Sequence, residues 1–317
     1  MDRFRNILAV YGDDPGSDDV LVQAVGLART SGAALSIVYP CEPPRPAKAV
    51  EEARRRLLRI VPGILQEGVA DVATEVVVGT PHVEIIRKVM EDEHDLVIVG
   101  AESGRALRRV IFGNTAINLM LQCPSAVWVL KPGQSSPCAN IVAALDLCGD
   151  SPDGDNLDDR ILDLAASLAH AHEAHLHLVH FWQAEGQDDE MLRSEIRHKT
   201  RTQILDRNES TRRDAVNALL NGLPAAPGEP VIHLPRGRPH AQMTDLANRL
   251  SADLVVMGTT CRRGVSRLLA GNFSEAVLNG ARCGVLVVKP VAFRTPVVPE
   301  HHDTPPSCAH MALRQAS

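Results

Sequence analysis

One stretch of this chain is written twice. Residues 79–132 recur without a gap as residues 237–290, each position moved by 158 (Gly79 to Gly237). Gly79/Gly237, Pro81/Pro239, His82/His240, Asp95/Asp253, Gly100/Gly258, Gly113/Gly271, Asn114/Asn272 and Lys131/Lys289 all match. Solenoid units run to roughly 20–50 residues, so a period this long marks a duplicated domain. A chain of 317 residues has room for two cores. Differences between the copies therefore become the functional question.

Each copy alternates short apolar runs with longer helix-period segments. The first supplies strand candidates at 7–11, 35–39, 72–78, 96–99 and 126–130, and the second at 141–145, 176–181, 229–233, 254–257 and 285–288. These runs are rich in Val, Ile and Leu without clean alternation, which suits parallel strands covered on both faces. Helices are predicted at 18–30, 51–67, 81–93, 156–172, 190–221 and 239–250. Pro81 and Pro239 sit where proline is best tolerated, at a helix start. Strands alternating with helices imply right-handed βαβ units. The expected fold class is α/β, with two tandem flavodoxin-like (Rossmann-like) domains, each a five-stranded parallel sheet with flanking helices. The expected bounds are 1–132 and 140–290, joined by a linker at 133–139 and followed by a disordered tail at 291–317.

Composition narrows the function classes. A net charge of −6 and 3% aromatics argue against a nucleic-acid surface. Without a signal peptide or an apolar run long enough to span a bilayer, the expectation is a cytoplasmic protein with no membrane partner. Seven cysteines with no C-x-x-C pair fit neither a disulfide framework nor a structural zinc site. His170, His172, His175, His177 and His180 crowd together, but His175 and His177 share one strand face while His180 points to the other. No metal site is expected there. His82 and His240 read as surface or capping residues near a helix start.

In both copies a strand ends in glycine and enters a loop that closes on Gly-Asn before a helix. The loops run from Gly100 past Gly104 to Gly113-Asn114, and from Gly258-Thr259-Thr260-Cys261 to Gly271-Asn272. Glycine lets the backbone approach phosphate oxygens, and a following helix N-terminus supplies oriented N–H donors. Arginines 105, 108 and 109, and 262, 263 and 267, add positive charge. With the phrase Ala252-Asp-Leu-Val-Val-Met-Gly258 and the closing Cys283-Gly-Val-Leu-Val-Val-Lys-Pro290, this pattern resembles the universal stress protein family, and most of all its tandem-domain E-type members. The resemblance covers residues 4–290.

The resemblance implies an adenine-nucleotide site in the second copy. Asp146 stands where the family's aspartate contacts adenine and ribose, and Phe181 where a residue packs on the base. Gly258, Thr259, Thr260, Gly271 and Asn272 belong to the phosphate loop. ATP with Mg²⁺ is the implied ligand; no resident cofactor is required. Two departures stand out: Cys261 replaces the family's middle glycine, and Asn272 replaces a serine or threonine. In the first copy Gly12 occupies the aspartate's place, followed by Asp13, and Ser103 stands at the middle glycine with Gly104 displaced. Its equivalent site is therefore degenerate: Asp13, Gly100, Gly104, Gly113 and Asn114. The glycines can also be read as the turn that packs helix on sheet. Cys261, beside arginines, is a candidate redox thiol or a drifted glycine position.

The resemblance also implies that the copies pair through their last strands, as an internal pseudo-dimer open to further homo-oligomerisation. Three functional readings follow. The first is a non-catalytic stress-response regulator or binding module. The second is a slow nucleotide hydrolase, for which Asp146 alone is suitably placed. The third is a carrier of apolar ligands or lipid, using a groove beneath the long helix of the second copy.

Overall fold

The computed structural model describes residues 4–14, 16–101, 114–134, 137–147, 157–182, 198–221, 228–237, 239–258 and 277–298. The first half runs β1 (Asn6–Val10), α1 (Ser17–Ser31), β2 (Ala34–Cys41), α2 (Ala47–Gln66), β3 (Val72–Val78), α3 (Pro81–Glu91), β4 (Leu96–Gly100), α4 (Asn114–Gln122) and β5 (Ala126–Leu130). The second runs β6 (Asn140–Ala144), α5 (Leu157–His172), β7 (His175–Val179), α6 (His198–Leu220), β8 (Val231–His233), α7 (Pro239–Arg249), β9 (Leu254–Gly258) and β10 (Gly284–Val288). Residues 277–280 are helical and lead into β10.

Each half is a flavodoxin-like set of five parallel strands, and the halves merge into one ten-stranded sheet. The order is β3-β2-β1-β4-β5-β10-β9-β6-β7-β8. Among the described residues the single antiparallel pairing is the seam, where Val129, Trp128 and Val127 of β5 face Val285, Leu286 and Val287 of β10. The expected pairing through last strands is thus a continuous sheet.

Absence of alternation in the strand sequences has a direct cause. Ile7, Ala9, Trp128, Ile141, Leu254 and Leu286 enter one core, on the side of α1, α2, α5 and α6. Leu8, Val10, Val127, Val142, Val255 and Val285 enter the other, beneath α3, α4 and α7. Both alternate positions are apolar because both faces are covered.

Several repeated residues prove to be structural. Asp95 Oδ2 accepts the backbone N–H groups of Arg5 (2.6 Å) and Asn6 (3.2 Å). Asp253 Oδ2 does the same for Ala139 (2.7 Å) and Asn140 (2.9 Å), so each aspartate anchors the first strand of its own half. Gly237 has φ +135°, in the region open chiefly to glycine, and a Cβ there would collide with Gln242. Pro81 and Pro239 open α3 and α7.

The repeated lysines cross the seam. Lys289, 1% exposed, follows β10 and donates to the carbonyls of Met120 and Leu121 (3.1 Å to the latter) at the end of α4. Lys131 follows β5 and donates to the Ala281 carbonyl beyond the 277–280 helix. Cations are favoured at helix C-termini, where carbonyls lack intrahelical partners. Each half thus caps a helix of the other.

Several segments differ from expectation. α2 begins at Ala47 rather than 51, because Pro46 supplies the extended N-cap and the chain can turn helical at once. The proposed linker is tied down: Gln134 accepts from Lys131 N (3.1 Å) and donates to Asp253 O (3.2 Å), and Cys138 is buried. The segment expected as a tail from 291 is packed at its start. Phe293 N donates to Pro290 O (3.0 Å), Lys289 Nζ lies 4.7 Å from the Phe293 ring centroid, and Val297 packs on the second core. Residues 299–317 lie outside the described residues.

Burial pushes the Lys289 ammonium down to about 8 from 10.5. Between those values the unfolded chain holds a proton that the folded chain has released, so this group's contribution to stability rises with pH. Urea unfolding of the wild type and Lys289→Met at pH 7.5 and 9.5 should show the difference moving in favour of the wild type, by up to about 1.4 kcal/mol per pH unit. An unchanged difference would mean that the lysine is not desolvated at the seam.

Candidate functional site

In an open α/β sheet the ligand crevice lies beyond the strand C-termini, where the chain changes direction. In the second half that point lies between β6 and β9, which pair through Ile141/Leu254, Val142/Val255 and Ala143/Val256. Asp146 leaves β6 there, and Gly258 ends β9 beside it.

The chain around Asp146 is held by one buried carboxylate. Asp158, 7% exposed in the first turn of α5, accepts from Asp146 N (3.0 Å) and Leu147 N (2.7 Å). Burial pushes the Asp158 carboxyl up, and the two amides pull it back. Leu147 is held at φ +48°, a left-handed conformation that costs a non-glycine residue about 1–2 kcal/mol. The outcome is an Asp146 side chain exposed to solvent at the rim of the crevice.

Behind it lies His180, 7% exposed, with Nδ1 3.1 Å from the Leu145 carbonyl. That contact requires Nδ1–H to be the donor. Burial lowers the His180 pKa; the Leu145 hydrogen bond raises it, the Arg212 cation lowers it and Asp146 raises it. Phe181 is half-buried against the second core. A Cβ on Gly258 would come within 2.6 Å of Leu157 in α5, so this glycine serves helix packing whatever else it does. Thr259, Thr260, Cys261, Gly271 and Asn272 lie outside the described residues, as do Gly104, Gly113 and the loop arginines.

At the corresponding edge of the first half, Gly12 replaces Asp146, and its N–H donates to Ser17 Oγ (3.1 Å) just as Asp146 N–H donates to Asp158. The neighbouring Asp13 is engaged by its own chain. Arg56 Nη1 binds it at 2.9 Å and Arg45 Nη1 stands 3.7 Å away. Arg56 also stacks over the Tyr11 ring at 5.0 Å and donates to its hydroxyl (3.3 Å). Burial and the Asp13 carboxylate raise the Tyr39 phenol above its ordinary value. Gly100 ends β4 with Val20 close by, and Asn114 is the exposed first residue of α4. Asp13 is thus brought into an arginine–tyrosine network.

The histidine run separates as expected but acquires an unforeseen member. His177 Nδ1 lies 3.1 Å from His233 Nε2 on the neighbouring strand, with ring centroids 5.3 Å apart. His172 instead meets Gln23 (3.2 Å) and the edge of Trp128. Among the described residues no group of three or more His, Cys, Asp or Glu could hold a metal ion. No described helix is long and apolar enough to cross a membrane. Where the carrier reading placed its groove, Val216 of α6 is buried, with Leu219 and Leu220 packed on the core. Burial raises the thiols of Cys123 and Cys283 to about 11 and that of Cys138 to about 12.

Sequence reading missed Asp158, although an acidic pair at a helix start was its signal. It also missed the Asp13 network, whose arginines stand far along the chain.

Comparison with known proteins places these features in context. The model of the universal stress protein family matches residues 3–131 and again 140–289. The chain is 30% identical over 224 residues to universal stress protein E of Salmonella typhi, covering 70% of each. It is 29% identical over 218 residues to universal stress protein E of Escherichia coli K12, covering 68% of this chain and 67% of the relative. Its fold matches a crystal structure of a functionally unknown Pseudomonas aeruginosa PAO1 protein with a TM-score of 0.69 and 23% identity. That match covers 92% of this chain and 94% of the other.

Two stability outcomes follow. Asp158→Ala strands two buried amides and should cost about 2–3 kcal/mol in urea unfolding, whereas Asp13→Ala breaks exposed ion pairs and should cost under about 1 kcal/mol. The folded His180 resists protonation, so as pH falls below 6.5 the unfolded chain gains a proton the folded chain refuses, and stability drops. Thermal midpoints at pH 7 and 5 should therefore fall less in His180→Leu than in the wild type; equal falls would refute the buried neutral histidine.

Proposed function

The chain belongs to the universal stress protein family, and from that premise we propose that it is a non-catalytic binding module of the stress response. It works in the cytoplasm and takes an adenine nucleotide at the C-terminal edge of its second half. Its domains are 1–132 and 140–290, joined by 133–139. The observation that carries this reading is the placement of Asp146: an exposed carboxylate at the β6/β9 crevice, positioned through its own backbone by the buried Asp158.

A carboxylate so placed accepts hydrogen bonds from ribose hydroxyls and the adenine amino group. Phe181 offers an apolar surface near the base. Gly258, Thr259, Thr260, Gly271 and Asn272 supply the phosphate loop, where an asparagine amide donates to a phosphate oxygen. In-line hydrolysis needs a water and a metal ion held by carboxylates. Asp158, the buried carboxylate among the described residues at this edge, is engaged by two backbone amides, which favours holding the nucleotide over turning it over. Asp13, paired with Arg56, leaves the first half in a completing role.

Protein purified under native conditions should release an adenine nucleotide on denaturation, identified by mass spectrometry. Mg-ATP should raise the thermal midpoint. Asp146→Asn should weaken binding about tenfold or more, the worth of one charge-assisted hydrogen bond. Asp13→Asn should leave it unchanged. No released nucleotide and no thermal shift would remove the nucleotide reading. Steady phosphate release from ATP, lost in Asp146→Asn, would replace the binding module with the hydrolase.

A further inference from the structure

The two halves treat their arginines differently. In the first half Arg45 and Arg56 share a carboxylate of the chain itself, Asp13. In the second, two arginines from distant segments meet one indole. The guanidinium carbon of Arg212, on α6, lies 4.9 Å from the centroid of Trp182, and that of Arg236, just after β8, lies 5.6 Å from it. Among the described residues neither is paired with a carboxylate; the hydrogen bond of Arg212 goes to the Asn208 carbonyl (3.0 Å).

The platform is firmly built. Trp182 is 3% exposed; its Nε1 donates to Leu234 O (2.9 Å) and its N to Pro235 O (3.2 Å), while Gly237 N donates to its carbonyl (3.0 Å). The ring is thus fixed to the β8 exit, and both cations are held against it by cation–π attraction. His180, buried beside this edge and kept neutral, offers no negative charge. Two guanidiniums held on one ring, with no carboxylate paired to them among the described residues, form a receptor for phosphate, whose oxygens they bind through charge-assisted hydrogen bonds.

We propose that Arg212 and Arg236, set on Trp182, form a phosphate-recognition subsite at the β7/β8 edge of the second half. It takes the phosphate of a phosphorylated small molecule. Its three residues are distinct from Asp146 and from the loop assigned to the nucleotide, so it stands whether or not a nucleotide binds there.

The chain has two tryptophans, which makes fluorine NMR a direct test. In protein labelled with 5-fluorotryptophan, the two resonances are assigned with Trp182→Phe and titrated with inorganic pyrophosphate at constant ionic strength. The Trp182 signal should shift saturably, while Trp128, buried at the seam, stays fixed. Arg236→Ala, which removes an exposed side chain, and Arg212→Ala should each weaken the response about tenfold or more. Asp146→Ala should leave the pyrophosphate response intact, which separates this subsite from the nucleotide reading. Acetate at the same concentration should give no saturable shift. No saturable movement of Trp182, or a shift retained in both arginine variants, would overturn the proposal.

Discussion

Everything in this molecule hangs on one antiparallel strand pair. β5 and β10 close the gap between two parallel five-stranded sets, and among the described residues no other pairing runs in that sense. Without it each set would end in an open edge of unpaired N–H and C=O groups. The crossed lysines reinforce the strand pair. A buried ammonium is costly, and it persists here because carbonyls at a helix end receive it. The interaction that completes one half is therefore supplied by the other.

Across that seam the duplication has diverged in a directed way. Features that hold the fold are kept in both copies: the aspartates that anchor the first strands, the glycine–proline turns and the terminal lysines. Features at the strand C-termini have parted. Gly12 and Asp146 occupy one position, each with its N–H tied to a first-turn side chain, yet only one carries a carboxylate. The first half pairs the adjacent, exposed Asp13 with its own arginines, while the second leaves Asp146 facing water.

Much of the fold was legible because parallel strands covered on both faces have few sequence alternatives. Runs such as Leu254 to Met257 admit little else, and the gapless repeat let each copy check the other. The fusion of two sheets was legible only through resemblance, since Val127–Val129 and Val285–Val287 look the same whether they meet each other or a neighbouring molecule. The candidate site was less readable. Asp146 could be placed by motif, but Asp158, which positions it, is twelve residues further on, and its acidic pair at a helix start does not say which backbone amides it receives. Contacts such as Arg56 on Tyr11 or Arg212 on Trp182 join residues whose proximity only the folded chain creates. Conversely, Asp95 and Asp253 drew attention by repeating, and their work is to hold backbone amides. Repetition within a chain marks what folding requires as readily as what a ligand requires.

The sense of the seam also decides which way the protein faces. Because β5 and β10 run in opposite directions, the carboxyl ends of the first five strands lie on one rim of the sheet and those of the second five on the other. Asp13 and Arg56 therefore stand on one side of the molecule, and Asp146 and Arg236 on the opposite side. The duplicated domain has become a two-faced plate rather than a double-barrelled cleft. Whatever docks on one rim leaves the other in open water, and news of that docking must cross the seam, through the sheet, its buried lysines and contacts such as Gln23 with His172.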